Sequence, residues 1–298
     1  MSVFTLKVFA LSSMIIDHLG EVLYQRNFPS WDMYVFMRAL GRFAFPIYAF
    51  LLVNGFQKTS NRARYLNRLL IFAVVSEIPH TLVFSSANYG VSDHSLMAIG
   101  LNHPWPYYLV FMCLVMLVYC LYIFPPKSLT ENHGHISTYI WPVLYLVVGG
   151  MNLTLHGYEL LDPYRSIFYT LSLGLCSMWL LENIIEQKQS LLACILQGAA
   201  LIWAIVVLQG AADYSYLGLL FIVALYLARN DRYAQIGVIA LWCVAQYSQN
   251  ARPLLYFGFL SIIPIFLYNG KQGKPLKMGF YLMYPLHLLA LGLANILL

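Results

Sequence analysis

The 298-residue chain is 60% hydrophobic and only 10% charged, with a formal net charge of +5; its mean hydropathy is +0.68. A soluble domain carries about 25% charged residues, so the composition excludes one. Apolar runs of about 20 residues recur from end to end, the pattern of repeated membrane-spanning helices, whereas a barrel would show alternating segments of about 10 residues. The fold expected is therefore all-α, a polytopic integral membrane helical bundle forming a single domain over residues 1–298.

The first span, 4–24, carries Asp17, His18 and Glu21 inside the otherwise apolar run MIIDHLGEVL. It is too long for a removable signal peptide and lacks a clear small-residue cleavage site. It also places Asp17 and His18 where a signal's central region is purely apolar. The second span, 36–57, contains Arg38 and Arg42, and the third, 66–85, holds Glu77 just before Pro79 in VVSEIPHTLVF. Spans at 106–124, 138–155, 166–183 and 191–210 follow. An eighth, 213–229, opens with Asp213 and Tyr214 in GAADYSYLG. After 233–248 and 253–269, the eleventh span, 278–297, places His287 behind Pro285 in YPLHLLAL. The connections 86–105 and 125–137 are rich in Ser, Asn, His and Pro and too short to fold alone. No internal repeat is evident, which weighs against inverted-repeat transporters. The five cysteines (Cys113, Cys120, Cys176, Cys194, Cys243) fall singly in apolar runs, so neither a metal site nor a disulfide framework is expected.

Lys and Arg collect in cytoplasmic loops. With the N-terminus inside, the inner side receives Lys7, the basic loop Lys58–Arg68, Lys127, Lys188, Arg229, Arg232, Lys271, Lys274 and Lys277. The outer side receives Arg26, Arg165 and Arg252, with Arg38 and Arg42 in the outer part of the second span. This asymmetry fixes the orientation and accounts for the net charge without a nucleic-acid partner. The loop QKTSNRARYLNR is then a topology signal or, alternatively, a phosphate-binding mouth.

A charge at mid-bilayer costs roughly 2.5–3.5 kcal/mol even on lenient insertion scales, so such groups face the bundle interior and usually pair. His18 lies six residues from the outer end of its span, a depth of about 9 Å at 1.5 Å per residue. Arg42 reaches the same depth in the second span, with Arg38 one turn above it. Asp17 and Glu21 share a helix face, while Asp17 and His18 point about 100° apart. Asp17 is thus expected to pair with Arg42 and to leave the His18 imidazole facing a cavity. A salt bridge that only welds the first two spans is the structural alternative. Glu77, Asp213 and His287 come to the same outer level, and together these groups describe a polar cavity open to the outside. Pro285 is expected to free a backbone carbonyl there.

The blocks LKVFALSSMIIDHLGEVL, LGRFAFPIYAFLLVNGFQKTSNRARYLNRLLIFAVVSEIP, DYSYLGLLFIVALYLAR and LYNGKQGKP…FYLMYPLHLLAL resemble the TraX family, named for the enzyme that acetylates the N-terminus of conjugative pilin. The ordered series IDH, GRFAFP, SEIP, DY and YPLHLL carries the resemblance. The region from Ser85 to Gly157, with His94, His103, His133 and His135, departs from it. The family is similar to wider transmembrane acyltransferases that take an acyl group from cytosolic acetyl-CoA and deliver it across the membrane. The resemblance implies His18, in the IDH motif, as catalytic base.

Acetyl transfer from a thioester needs an acceptor deprotonated as it attacks, and an imidazole titrating near neutral pH is the usual agent. It also needs donors for the developing oxyanion, for which Arg42 and Tyr214 are candidates. The reading is an acetyltransferase moving an acetyl group from cytosolic acetyl-CoA to an amine or hydroxyl acceptor at the outer face. His18 and Asp17 are the expected catalytic residues. Arg38, Arg42, Glu77, Asp213, Tyr214 and His287 would meet the acceptor, and Arg62, Arg64 and Arg68 the CoA phosphates. The expected setting is the bacterial inner membrane, with the N-terminus cytoplasmic and the lipid bilayer as a partner. The acceptor is a pilin-like N-terminus or a saccharide, and the reading leaves room for a homo-oligomer. The first rival reading is a proton-coupled secondary transporter with Asp17, His18, Glu77 and His287 as its relay, and the second is a non-catalytic membrane scaffold in which the polar groups are glue between helices.

Overall fold

Ser2 opens the first helix, its hydroxyl accepting from the Thr5 N–H at 3.2 Å, and α1 then runs Val3–Gln25. This computed structural model describes residues 1–27, 30–89, 166–186, 195, 214–250, 253–275 and 278–297. Ser30 caps α2 (Trp31–Gly41) in the same way, accepting from the Met33 N–H. After α2 come α3 (Ala44–Lys58) and α4 (Arg62–Tyr89). The described chain then forms α5 (Ile167–Glu186), α6 (Ser215–Leu227) and α7 (Arg232–Asn250). A 3₁₀ segment (Pro253–Ser261), α8 (Ile262–Phe266) and α9 (Gly279–Leu297) complete it. Every regular element among the described residues is helical.

Prolines explain where these elements depart from the expected spans. The second span is two helices, broken at Arg42 and Phe43. Pro46 has no N–H for the Arg42 carbonyl four residues back, and its ring would collide with that carbonyl in an unbroken helix. The tenth span is mostly 3₁₀; Pro264 cannot serve the Leu260 carbonyl, and the Ser261 hydroxyl donates to the Gly258 carbonyl at 2.7 Å. By contrast α4 and α9 remain helical through Pro79 and Pro285. Two described stretches, Val3–Gln25 and Trp31–Lys58, are long and apolar enough to cross a membrane. Shorter apolar helices cover Thr170–Glu182, Tyr216–Leu227 and Phe257–Phe266. The expected count of eleven spans therefore goes beyond what the described helices establish. The spans 106–124, 138–155 and, apart from residue 195, 191–210 lie outside the described residues, as do His94, His103, His133 and His135.

The chain divides into two compact units. The first comprises Met1–Thr59, Val75–His94 and Phe221–Leu298. Its core holds Leu6, Ala10, Ile47, Val53, Ile222 and Leu288, each with no exposed surface. Phe45 packs against Phe221 and Trp242 at 5.8 and 5.4 Å between ring centroids, and those two rings stack at 4.7 Å. One end of this unit is tied by the chain's own polar groups. The Val3 and Phe4 N–H groups donate to the Lys271 and Gln272 carbonyls at 2.9 and 3.1 Å. The Lys58 ammonium donates to the Gly270 carbonyl at 3.2 Å, and Arg232 donates to the Tyr268 carbonyl at 2.7 Å. Gly270 and Gly273 turn this loop with positive φ angles of 76° and 73°, a conformation that costs glycine nothing. Lys58, Arg232 and Lys271, all assigned by the sequence to one side, thus share one end of the unit.

The second unit comprises Ser60–Val74 and Ser95–Leu220. In it α4 packs on α5 through Phe72 and Phe168, 5.8 Å between centroids. A two-pronged ion pair joins Arg62 to Glu182, with Nη2 and Oε1 2.6 Å apart.

Candidate functional site

The polar groups of α1 divide between two of its faces. Asp17 and Glu21, one turn apart, face α2. Arg38 Nη1 donates to Asp17 Oδ2 at 2.8 Å and lies 3.5 Å from Glu21 Oε2. Arg42 Nη2 donates to Asp17 Oδ1 at 3.2 Å. The Tyr34 hydroxyl donates to Glu21 Oε2 at 3.1 Å. Two carboxylates meet two guanidiniums, so the cluster is neutral as a whole. The pairing of Asp17 with Arg42 is present as expected, but Arg38 is the nearer partner.

Two glycines make this approach possible. A Cβ at Gly41 would collide with the Asp17 carboxyl, and one at Gly20 would lie 2.8 Å from Met37 Cβ. With hydrogen in their place, α1 and α2 approach closely enough for one carboxylate to span both arginines.

His18 points to the other face, toward α9 and α4. Its Nδ1 lies 2.8 Å from His287 Nε2, with the ring planes 6° apart and the centroids at 5.1 Å. So short a nitrogen–nitrogen distance with centroids so far apart is coplanar, end-to-end geometry and not face stacking. His287 Nδ1 in turn lies 2.8 Å from the Met283 carbonyl oxygen. A carbonyl only accepts, so His287 carries its hydrogen on Nδ1 and, in the neutral ring, accepts at Nε2. His18 must then donate from Nδ1, which leaves its lone pair on Nε2, the nitrogen able to take a proton. His18 is therefore not the free ring the sequence led us to expect; one nitrogen is held and the other is set as a base. The carbonyl that His287 engages is that of Met283, one turn before it on α9, whereas the one left without its helical donor by Pro285 belongs to Tyr281.

Both imidazoles are buried, 7% and 8% exposed. Phe84 and Tyr284 close around His18 edge-on, at 5.3 and 6.2 Å between centroids. Beyond them Arg26 Nε donates to Asn295 Oδ1 at 2.9 Å, Asn295 Nδ2 to Gln25 Oε1 at 3.1 Å, and Gln25 Nε2 to the Val83 carbonyl at 3.3 Å. This clamp fixes α9 and α4 against α1 just past the histidines.

The structure thus brings Asp17, His18, Arg38, Arg42 and His287 together around α1. Glu77 lies on α4, and its side chain is outside the described residues, as is Asp213. Tyr214 and the three loop arginines belong to the second unit. Tyr214 is half-buried at the turn before α6, its carbonyl accepting from the Gly218 N–H at 2.9 Å. Arg62 is committed to Glu182, and Arg68 lies over the Tyr65 ring at 5.6 Å. Arg64 is exposed in the first turn of α4, where Asn61 Oδ1 accepts from its backbone N–H at 2.7 Å. One residue escaped the sequence reading: His80, 4% exposed, whose ring lies 4.6 Å from the same Phe84 that touches His18. Its spacing of four from Ser76 on α4 was the available signal.

An all-helical fold, two stretches of membrane-crossing length and a buried histidine pair beside a charge-balanced cluster are the marks of a helical, membrane-associated protein with an ionisable site. The family described as TraX protein matches residues 2–92 and 162–295, most of the chain, and the chain belongs to the TraX family. The unmatched middle falls where the resemblance gave out in the sequence. A curated relative, the probable fimbrial assembly protein FimC, serogroup H1, of Dichelobacter nodosus, is 40% identical over 76 residues, 26% of this chain and 30% of that protein. The chain therefore matches less than a third of that relative's length. No solved structure matches the chain.

Proposed function

We propose that this protein is a multi-pass inner-membrane acetyltransferase that takes the acetyl group of cytosolic acetyl-CoA and places it on an amine or hydroxyl at the outer face. The observation that carries the reading is the His18–His287–Met283 chain, which leaves His18 with a basic Nε2 inside a buried site. Family membership and the fimbrial relative support a pilin-like N-terminus as the acceptor.

Acetyl-CoA supplies an activated thioester; the remaining chemistry falls to side chains. The acceptor nitrogen or oxygen adds to the thioester carbonyl carbon, and its proton passes to His18 Nε2. The carbon–sulfur bond then breaks with its electron pair leaving on sulfur, and the proton held by His18 follows to give the free thiol. While His18 is protonated, its Nδ1–H still points at His287, so the positive charge is shared along the chain toward the Met283 carbonyl. Asp17 stays paired with Arg38 and Arg42, which holds the α1–α2 pair in place while His18 works on the opposite face. Of the loop arginines, Arg64 is the one the structure leaves exposed, and it fits a phosphate contact at the donor's nucleotide end.

The test is to incubate the purified full chain in lipid nanodiscs with acetyl-labelled acetyl-CoA and a peptide carrying a pilin-type N-terminus. Label in the peptide, lost with His18→Ala, is the expected result. No transfer to peptide or saccharide acceptors, with proton-coupled solute flux in proteoliposomes, would replace this reading with a transporter.

A further inference from the structure

The half of α4 that lies in the first unit holds two polar side chains that the transfer chemistry has not used. Ser76 has no exposed surface and His80 is 4% exposed. Among the described residues, Ser76 Oγ and His80 Nδ1 are buried without a hydrogen-bond partner. Leaving a buried polar atom unpaired costs about 1–3 kcal/mol, so two on one helix face are a liability unless something binds there.

Other polar side chains on helices of this chain show how easily the liability could have been avoided. A serine inside a helix ordinarily bonds the carbonyl four residues back, and Ser177 does so, its Oγ 2.8 Å from the Leu173 carbonyl. Asn54 and His287 likewise turn back to the Phe50 and Met283 carbonyls at 2.9 and 2.8 Å. Ser76 does not. Four residues separate it from His80, so both side chains leave the same face of α4. That face is the one at the site, because the Phe84 ring, one turn beyond His80, touches the imidazoles of both His80 and His18.

We propose that Ser76 and His80 form a carbonyl-binding subsite beside His18. The Ser76 hydroxyl and the His80 Nδ1–H both donate to the oxygen of the acyl carbonyl, and to the oxyanion it becomes when the acceptor adds to it. The chemistry matches what is present. Ser76 can always offer its O–H, and His80 offers a donor at Nδ1 as the neutral Nδ1–H tautomer. Two fixed donors in a site closed to water are what a thioester carbonyl needs as negative charge develops on its oxygen. The subsite rests on the acyl-transfer reading, and it assigns the oxyanion donors to α4, not to Arg42 or Tyr214.

The test uses the full chain in nanodiscs and a ketone analogue of acetyl-CoA in which a methylene replaces the thioester sulfur, labelled with ¹³C at the carbonyl. Isotope-edited infrared spectra should show the carbonyl stretch of the bound analogue moved to lower frequency. Ser76→Ala, a substitution any helix tolerates, should remove part of that shift, and His80→Leu should remove more. His80→Asn, which keeps an N–H donor near the Nδ1 position, should retain it. In parallel kcat should fall about 10²-fold in His80→Leu, the scale of losing one oxyanion donor, with donor KM unchanged. A carbonyl frequency identical in wild type and Ser76→Ala would mean that only water meets these groups, and would overturn the subsite. A wild-type protein that transfers acetyl groups yet shows no shift would overturn the subsite alone. A wild-type protein that neither binds the analogue nor transfers would overturn the acyl-transfer reading and the subsite with it.

Discussion

His18 Nδ1 and His287 Nε2, 269 residues apart in the chain, are 2.8 Å apart and share one plane. Because His287 Nδ1 is tied to the Met283 carbonyl, the pair reads in one direction, and the reading ends on a basic His18 Nε2. His18→Ala is expected to lower kcat by about 10²–10⁴-fold, the usual worth of a positioned general base, while the protein stays folded.

In the proposed transfer His287 acts through His18, so its variants should separate by what they offer at the Nε2 position. His287→Gln presents an acceptor there and should keep most of the activity. His287→Leu cannot accept from His18 Nδ1 and should reduce kcat by at least ten times more than the Gln variant, a factor equivalent to about 1.4 kcal/mol. The check is a kcat-against-pH profile for each variant, with helicity by circular dichroism as the folding control. Equal kcat in the Gln and Leu variants would show that His287 merely fills space.

Asp17 is the shared partner of Arg38 and Arg42, which makes the cluster asymmetric. Asp17→Asn leaves two guanidiniums facing one remaining carboxylate, and because the cluster is part-buried the loss should stay below the roughly 3–5 kcal/mol of breaking a fully buried pair. Arg42→Gln leaves Asp17 with its closer partner, Arg38, and should cost less than half as much. Denaturation midpoints of the three proteins in one detergent provide the comparison. A larger loss for Arg42→Gln would show that Arg42 has a separate role.

This cluster is also where the sequence was most legible. Helical rise and the 100° step placed Asp17 at the depth of Arg42 and Arg38 and turned His18 away from them, and both relations hold. They were readable because short-range helix geometry and neighbouring spans decide them. The His18–His287 contact was not, since nothing local relates the first helix to the last. His80 was passed over because a buried imidazole is indistinguishable, in sequence, from one that packs as a core residue. The break at Arg42 was readable from Pro46 and was missed because the apolar run continues across it. At Pro79 and Pro285 the opposite holds: α4 and α9 remain helical across them, so proline alone does not locate the breaks.

Gly41 tests whether the approach of α1 to α2 is required. Gly41→Ala drives a methyl group into the Asp17 carboxyl and should disturb both ion pairs at once, with a loss of stability comparable to Asp17→Asn. A methyl group at Gly237, on α7, would meet nothing within 4 Å. Gly237→Ala should therefore leave stability the same or raise it by up to about 1 kcal/mol, the helix-propensity difference. Thermal midpoints of the two variants read the contrast. Equal behaviour would mean that the α1–α2 contact adjusts freely.

The loop arginines should divide by what already holds them. Arg62 is bound by both carboxylate oxygens of Glu182, so Arg62→Ala exposes a half-buried acid and should act on stability, lowering the denaturation midpoint with donor KM little changed. Arg64 is exposed and near the start of α4, where the backbone N–H groups and the helix dipole already favour an anion. If it meets the donor's phosphates, Arg64→Ala should raise KM for acetyl-CoA several-fold and leave the acceptor KM alone. The wild-type donor KM should also rise with salt, because an exposed phosphate contact is screened within about 8–10 Å at 0.1–0.15 M. On the proposed reading the same electrostatics should make the reaction sided. His18 lies fifteen residues along α1 from Val3, about 22 Å from the basic end at 1.5 Å per residue, so donor and acceptor can enter from opposite ends of one helix. In sealed, oriented vesicles acetyl-CoA should support transfer only when supplied on the side of Lys58, Arg232 and Lys271. Transfer with the donor supplied solely on the other side would remove the two-sided path, and an Arg64→Ala variant with unchanged donor KM would leave the basic loop as a topology signal alone.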